Sequence, residues 1–182
     1  MLPISVPFSM FQKKNKPKLY MKDINLQIKM KFAQMDELSP EDRELVQCAI
    51  DSTSRSYSKY SHFSVGAAIR LQNGEIVLGA NQENAVFPVG LCAERTAIFA
   101  AQVAHPELSI DVIAISAKNP QGELTLDPVT PCGSCRQVML EMEDRYKKPM
   151  RVLLYGKRGV YVIDTVRDLM PLSFAEEAME KQ

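Results

Sequence analysis

The sequence has no excess of charge of either sign, because 22 Lys and Arg residues balance 22 Asp and Glu residues. It also has no apolar run near the ~20 residues that a membrane-spanning helix needs. A nucleic-acid partner, which requires a basic excess, and a membrane-embedded fold are therefore both disfavoured. With 46% apolar and 24% charged residues, the 182-residue chain has the composition of one globular domain with some additions.

A secretion signal is also missing. The first eleven residues are largely apolar, but they contain Pro3 and Pro7 and the lysines follow them, which inverts the order of a secretory signal. Four cysteines, two of them in a C-x-x-C pair, then favour metal or redox chemistry over a disulfide framework. We expect a reducing, cytoplasmic location.

The first 38 residues differ from the rest, since they carry seven Lys against three acidic residues, a local net charge of +4. Residues 1–18 are predicted to form a solvated tail rather than a site for an anionic partner. In residues 24–32, apolar and polar side chains alternate for most of the run, which is the period of a half-buried strand. We predict an N-terminal extension over residues 1–38, made of a tail and an edge strand or arm, and a main domain over residues 39–182.

Helix and strand signals alternate from Ser39 onward. The run Ser39-Pro40-Glu41-Asp42 predicts a helix start, and Asn73-Gly74 predicts a two-residue hairpin turn between two strands. The pattern then predicts helices over residues 92–104 and about 134–146, and strands over residues 112–117, 152–155 and 160–163. This order indicates an α/β fold with parallel crossovers and helices on the faces of a sheet.

Two cysteine motifs stand at predicted helix starts, Cys92-Ala93-Glu94 and Pro131-Cys132-Gly133-Ser134-Cys135-Arg136. Backbone N–H groups and the helix dipole favour the thiolate there, which is the form that binds a metal. Three thiolates would leave the fourth position of zinc for water, as in a catalytic site. An acid two residues beyond the first ligand could handle the proton of that water.

Other interpretations of the cysteines stay open at this point. A C-x-x-C pair alone is typical of a redox pair or of two small buried residues. Cys48 would allow a four-cysteine structural zinc site, although its apolar helical position favours a buried free thiol. His62 and His105 lack ligand-like spacing, and we expect surface or structural roles for them.

Four motifs resemble those of the cytidine deaminase family, of the small homotetrameric zinc-dependent type. They are Tyr-Ser-His-Phe-Ser-Val-Gly-Ala-Ala at 60–68, Asn-Gln-Glu-Asn-Ala at 81–85, Cys-Ala-Glu-Arg-Thr-Ala at 92–97 and Pro-Cys-Gly-Ser-Cys-Arg-Gln at 131–137. The resemblance spans roughly residues 39–174. It implies a three-layer α/β/α sandwich with a mixed sheet of about five strands, bound Zn²⁺, and hydrolytic deamination of cytidine and deoxycytidine in a catalytic domain over residues 39–182.

The resemblance also implies a role for each matching residue. The zinc ligands would be Cys92, Cys132 and Cys135, with Glu94 as the proton carrier and Arg95 as the compensating charge. The implied substrate contacts are Asn81 and Glu83 to the ribose 3′-hydroxyl, Phe63 stacked on the base, the Ala93 amide to the ring carbonyl, and Phe174 from a neighbouring subunit of a homotetramer. The partners would be a nucleoside and further copies of this chain.

Two alternatives to this function remain. One is a related deaminase acting on a nucleotide, a nucleic-acid base or an aminopyrimidine antibiotic, against which the Asn81 and Glu83 pair favours a free ribose. The other is a non-catalytic binding module stabilised by zinc, against which Glu94 argues because a structural metal needs no acid beside it. Phe174 could equally pack the chain end onto its own domain.

Overall fold

The computed structural model describes residues 21–175 and 177–180, so the predicted tail over residues 1–18 lies outside it. The elements in chain order are β1 Lys31–Ala33, α1 Pro40–Ser52, β2 Ser64–Leu71, β3 Ile76–Ala80, α2 Ala93–Ala104, β4 Ile110–Lys118, α3 Gly133–Tyr146, β5 Arg151–Gly156, β6 Gly159–Ile163 and α4 Glu177–Glu180. Short 3₁₀ helices cover Met35–Glu37, Thr53–Arg55, Phe87–Val89 and Val166–Leu169.

Six strands form one mixed sheet in the order β1-β6-β5-β4-β2-β3. The pair β4 and β5 is parallel because α3 connects these strands as a crossover, and the other neighbouring pairs are antiparallel. The predicted α/β fold is therefore confirmed, but with one parallel pair among the described strands. The sheet has six strands rather than about five, since β1 adds an edge strand beside β6.

Helices cover both faces of the sheet and confirm the three predicted layers. On one face, Leu45 and Val46 of α1 pack in a cluster with Leu153 of β5. On the other face, Ile98 of α2 and Met139 of α3 pack in a cluster with side chains of β2, β4 and β5. The metal-binding motifs belong to this second face, because they begin α2 and α3.

The first helix begins where the sequence predicts. The Ser39 hydroxyl accepts a hydrogen bond from the Asp42 amide at 3.2 Å, and Pro40 is the first helical residue. The Asp42 carboxylate is buried, and it accepts hydrogen bonds from Arg70 of β2 at 2.9 Å and Arg151 of β5 at 2.5 Å. These two ion pairs fix the start of α1 to the sheet.

Two local predictions differ from the structure. The predicted edge strand is confined to Lys31–Ala33, while residues 21–30 have no regular secondary structure and expose their side chains. Of residues 21–33, only Lys31–Ala33 lie beside β6, so the earlier residues have no neighbouring strand in the described part of the chain. The hairpin loop spans residues 72–75 rather than two residues, and Gly74 takes the left-handed φ of 88° that favours glycine.

The division of the chain at residue 38 stays a prediction.

In the described part of the chain, no helix has the length and apolarity required to span a bilayer.

Candidate zinc centre and active site

The three predicted metal ligands lie at the starts of two helices. Cys92 is the N-terminal cap residue of α2, Cys132 is that of α3, and Cys135 lies in the first turn of α3. The backbone N–H groups of a first helical turn have no partner within the helix, and they place positive potential at this point. Local sequence therefore brings each sulfur to an end that favours its ionised form.

The three sulfurs meet at distances that suit a tetrahedral ion. The Sγ atoms of Cys92 and Cys132 are 4.0 Å apart, those of Cys132 and Cys135 are 3.5 Å apart, and all three lie within 4.8 Å of one another. Zinc–sulfur bonds of ~2.3 Å in tetrahedral geometry require sulfurs ~3.8 Å apart. Cys48 lies on α1, half-buried against the opposite core. The trio fits Zn²⁺ with one coordination position open, and a four-cysteine site is wrong.

The pKa values of Cys92 and Cys135 are shifted in opposite directions. The hydrogen bond with Cys135 and the Arg95 guanidinium outweigh the effect of burial and lower the pKa of Cys92 to about 5. The same contact with Cys92, together with burial, raises the pKa of Cys135. All three sulfurs can be ionised at this separation only with a divalent cation among them, so the donor set is that of a metal site.

Arg95 lies beside the cluster, as the resemblance implies. Its Nη2 is 3.6 Å from the Cys92 sulfur and also donates to the Gly90 carbonyl at 3.4 Å. Three thiolates with Zn²⁺ carry a net charge of minus one, which the guanidinium offsets.

Glu94 is the carboxyl group of the site. It is the second residue of α2, it is 5% exposed, and it lines the same cavity as Cys92 and Cys132. Burial raises the pKa of Glu94, its own backbone amide opposes the rise, and the negative charge of Cys92 adds to it. A buried carboxyl group beside a metal site, facing a cavity, can move protons in that cavity.

A cavity of about 680 Å³ opens in front of the sulfurs and holds most of the predicted site residues. Asn81, Glu83, Ala93, Glu94 and Arg95 all line it. Its size falls in the range of small-molecule sites and exceeds the needs of a nucleoside. The structure thus brings the metal ligands, the acid and the predicted ribose pair into one space.

The Asn81 side chain is held by hydrogen bonds within the chain. Its Oδ1 accepts from the Ser56 hydroxyl at 2.5 Å and from the Val65 amide at 2.8 Å, and its Nδ2 donates to the Phe63 carbonyl at 3.0 Å. The second hydrogen of Nδ2 has no hydrogen-bond acceptor within the described residues. Because Asn81 lines the cavity, this hydrogen is available to a bound ligand.

Glu83 organises the turn at the mouth of the cavity. Its carboxylate accepts from the Tyr60 amide at 2.6 Å and from the Ser61 amide at 3.2 Å. The hydrogen bond of the Ser61 side chain, followed by that of the Tyr60 amide, lowers the pKa of Glu83, so the group is ionised at neutral pH. An ionised carboxylate with remaining lone pairs can accept a sugar hydroxyl.

Two predicted substrate contacts lie elsewhere in this chain. Phe63 is half-buried and does not line the cavity, and its carbonyl accepts the bond from Asn81. Phe174 is 62% exposed and borders a second cavity of about 350 Å³, where Gln137 donates to its carbonyl at 2.9 Å. Their roles stay predictions. His62 is exposed and His105 is half-buried against Glu75 at 3.0 Å, so neither joins the sulfurs.

Sequence reasoning missed several residues of the cavity wall. Tyr60 and Phe87 meet edge to face at its rim, with ring centroids 5.7 Å apart. Val129 and Thr130 form another part of the wall, and only their position just before the second cysteine motif could have indicated it. Arg136 donates to the carbonyls of Pro131 at 2.9 Å and Leu169 at 2.8 Å, which ties the ligand-bearing loop to a C-terminal turn.

Gly79 sets the distance between α2 and the sheet. A β-carbon at Gly79 would stand 2.3 Å from the Ala93 carbonyl oxygen and 2.5 Å from the Ala97 nitrogen, both backbone atoms. The first turn of α2 therefore packs directly on the backbone of β3. This contact fixes the height of Cys92 and Glu94 above the sheet.

A mixed sheet with three cysteine sulfurs and a buried carboxyl group at two helix starts is the arrangement that the resemblance to zinc-dependent deaminases implies. Residues 39–148 match the model of the cytidine and deoxycytidylate deaminase zinc-binding region. The chain belongs to the cytidine deaminase family.

Individual proteins that are similar to this chain are also deaminases. A cytidine deaminase from Halalkalibacterium halodurans is 40% identical over 139 residues, which cover 76% of this chain and 98% of that protein. A blasticidin-S deaminase from Bacillus cereus is 31% identical over 140 residues, which cover 75% and 94%. The crystal structure of a cytidine deaminase from Burkholderia pseudomallei matches with a TM-score of 0.61 at 35% identity, over 72% of this chain and 97% of that one. The fold is therefore shared along nearly the whole length of these proteins.

Proposed function

We propose that the protein catalyses the hydrolytic deamination of cytidine and deoxycytidine, giving uridine or deoxyuridine and ammonia. The observation that carries this proposal is the position of Glu94, which is 5% exposed, follows a zinc ligand by two residues and lines a cavity large enough for a nucleoside. A metal that only stabilised the fold would have four protein ligands and no acid in a cavity. The position of Glu94 thus favours an enzyme over a binding module.

The chemistry is the addition of water to C4 of the pyrimidine followed by loss of the amine. Zinc, when bound by Cys92, Cys132 and Cys135, supplies a Lewis acid that makes water nucleophilic at neutral pH. Glu94 takes the proton of the attacking water and passes it to ring N3. It then moves the proton of the new hydroxyl group to the amino group, which leaves as ammonia while the C4 carbonyl forms.

The sugar and the base contact groups from the loop that follows β3 and from the start of α2. The remaining amide hydrogen of Asn81 donates to the ribose 3′-hydroxyl, which in turn donates to the Glu83 carboxylate. This pairing explains acceptance of both ribose and deoxyribose, because both sugars carry the 3′-hydroxyl. The Ala93 amide, at the first position of α2, donates to the ring carbonyl. The fixed negative charge of Glu83 disfavours 5′-phosphorylated substrates.

The replacement of Glu94 by Gln tests the proposal. Glu94→Gln should keep zinc and the fold but lose ammonia release from cytidine and deoxycytidine by more than the ~10² to 10⁴-fold of a single proton transfer, because one carboxyl group serves several transfers. Glu107→Gln, an exposed control after α2, should behave as the parent protein. Near-normal turnover in Glu94→Gln with full zinc content would contradict the proposal and would indicate that the zinc site is structural.

We also propose that the protein is a homotetramer in which Phe174 reaches the active site of a neighbouring subunit. Support comes from its 62% exposure and from exposed apolar side chains beside the cavity and on α2, which are Val86, Phe87, Val89, Phe99 and Val103. Apolar surface of this kind marks a site of association.

Mixing of two impaired variants tests the assembly, since Phe174→Ala should raise KM with zinc content unchanged and Glu94→Gln should lose turnover. Phe174→Ala chains combined with Glu94→Gln chains should recover activity, because a mixed tetramer contains sites with Glu94 from one chain and Phe174 from another. Each variant mixed with itself is the control. A fully active monomer in sedimentation would contradict this assembly and leave the zinc chemistry untouched.

The cellular setting that we propose is the cytoplasm, with a nucleoside rather than a nucleic acid as the partner. Zinc binding by three cysteines requires reduced thiols, which supports a reducing compartment. The zero net charge of the chain supports a small-molecule substrate, since nucleic-acid binding draws on a basic excess.

A further inference from the structure

A strand-like segment that has no strand partner within the described residues precedes the family domain. Residues 21–30 have no regular secondary structure, yet every second side chain from Ile24 to Phe32 is apolar and exposed. The exposed fractions are 81% for Ile24, 58% for Leu26, 49% for Ile28, 53% for Met30 and 53% for Phe32. A period of two with one apolar face is the pattern of a β-strand that buries this face against something. The segment has the alternating pattern of a strand, but no neighbouring strand pairs with it within the described residues.

The segment leads directly into the edge of the sheet. Lys31–Ala33 pair with β6 on one side, and β1 is the last strand in the order, so its outer side is unpaired within the described residues. An open edge with unpaired N–H and C=O groups is a template for another strand. The segment also lies outside residues 39–148, which the family model matches.

We propose that residues 22–32 pair in antiparallel fashion with the same residues of a second copy of this chain, with Gln27 on the twofold axis. In this register Asp23 of each copy lies opposite Lys31 of the other, so opposite charges meet at both ends. On the other face, Ile24 lies opposite Met30. The segment is therefore complementary to itself.

The apolar pairs of the centre agree with this register. Leu26 lies opposite Ile28 twice, once on each side of the axis, so the apolar face is continuous across the interface. A parallel, in-register pairing would instead place Lys22, Lys29 and Lys31 each beside their own copy, and like charges in such positions repel.

The sheet supplies the support that an isolated ribbon lacks. Two strands alone are marginal in water, but each half of this ribbon continues through β1 into a six-stranded sheet. The ring of Phe32 already packs on Tyr161 of β6 with centroids 5.4 Å apart, which anchors the base of the ribbon. Pairing would join the two sheets into one and cover the β1 edge of each copy, because a twofold interface uses the same surface of each copy.

A cysteine at the axis tests the pairing in the full-length, zinc-loaded protein. Gln27→Cys should form a disulfide-linked dimer on mild oxidation, because paired residues place their Cα atoms within the range that a disulfide spans. Asn25→Cys is the matched control, since two copies of residue 25 would be ~14 Å apart in this register. Chains with Asn25→Cys mixed with chains with Lys29→Cys should cross-link to each other. The parent protein, with its own cysteines, should show no disulfide-linked dimer.

Charge reversal tests the register independently. Asp23→Lys in the Gln27→Cys background should slow cross-linking by roughly tenfold, since it sets Lys opposite Lys at both ends. Adding Lys31→Asp to the same chain should restore the rate, although it removes the exposed ion pair of Lys31 with Asp164 at 3.4 Å. A rate unaffected by Asp23→Lys, or a failed rescue, would overturn the register.

Other results would overturn the proposal as a whole. These are no dimer from Gln27→Cys, equal dimer from Asn25→Cys alone, or cross-linking of Gln27→Cys to a different protein. Zinc content and deamination should stay unchanged in all these variants, because the segment does not contribute to the cavity. A failure of this proposal is therefore distinguishable from a failure of the proposed function.

Discussion

A single methyl group on β3 should disturb the zinc centre. In Gly79→Ala, the new β-carbon would stand 2.3 Å from the Ala93 carbonyl oxygen, whereas ordinary contacts begin at 3.4 Å. Both close neighbours are backbone atoms of α2, so no side chain can turn aside to relieve the contact. The first turn of α2 must therefore retreat from the sheet by about 1 Å, and it carries Cys92 and Glu94 with it.

The size of the effect follows from this displacement. Overpacking of a well-packed interior destabilises by ~1–3 kcal/mol, which in a domain of this length lowers Tm by about 3–10 °C. The Cys92 and Cys132 sulfurs are 4.0 Å apart, and a shift of one ligand by a quarter of that distance distorts the tetrahedron. We expect zinc affinity to fall ~10- to 100-fold, as it does when supporting residues of metal sites are changed.

Chelator competition and thermal unfolding measure the two effects. The matched control is Gly133→Ala, because a β-carbon there meets nothing within 4 Å although the residue stands between two ligands. Its zinc affinity should stay within about twofold of the parent value, as for an ordinary surface change. If Gly79→Ala bound zinc as tightly as Gly133→Ala and melted at the same temperature, the contact with β3 would not be what positions α2.

Two further predictions concern the supports of the site. The ion pairs of Asp42 with Arg151 and Arg70 outweigh its burial and lower its pKa, so their stabilisation is present above the ordinary value of 3.8 and is lost as pH falls through the lower folded-state pKa. The free energy of unfolding of Asp42→Asn should thus lie about 2 kcal/mol below the parent near neutral pH, and urea titrations should show the difference shrinking below about pH 4. Arg136→Ala should release zinc to a chelator ~10-fold faster, because the loop before the second ligand loses its support, while Arg145→Ala on the same helix should not. Equal release from the two Arg variants would contradict this account.

The sequence predicted those parts of the site that depend on helix starts. The Ser39 hydroxyl caps α1 by accepting a hydrogen bond from the amide three residues along, and Cys92 and Cys132 occupy the N-cap positions of the two helices that carry the metal ligands. These signals lie within one turn of chain, where local chemistry decides the conformation. These signals placed the cysteines at helix starts, and the resemblance of the motifs to the family then selected zinc ligation over a redox pair before the fold was known.

The rim of the cavity depends on contacts between distant residues and could not be predicted in this way. Tyr60 and Phe87 are separated by 27 positions in the sequence, and neither stands in a periodic pattern that marks an aromatic pair. Likewise, the short β1 exists because β6, more than 120 residues away, lies beside it. Alternation continued through residues 24–32, but a strand formed only where a neighbour was present.

The motif that spaces Asn81 and Glu83 by two residues has a structural role in addition to the substrate contacts that we propose for it. At the end of β3 this spacing turns both side chains to the same side, where Asn81 holds the strand of Val65 and Glu83 holds the turn of Tyr60. The hydrogen bonds of these two groups hold part of the cavity wall, and the proposed function adds a substrate hydroxyl to their partners. A change at either position therefore alters the shape of the cavity as well as its contacts, so kcat and KM should change together rather than KM alone.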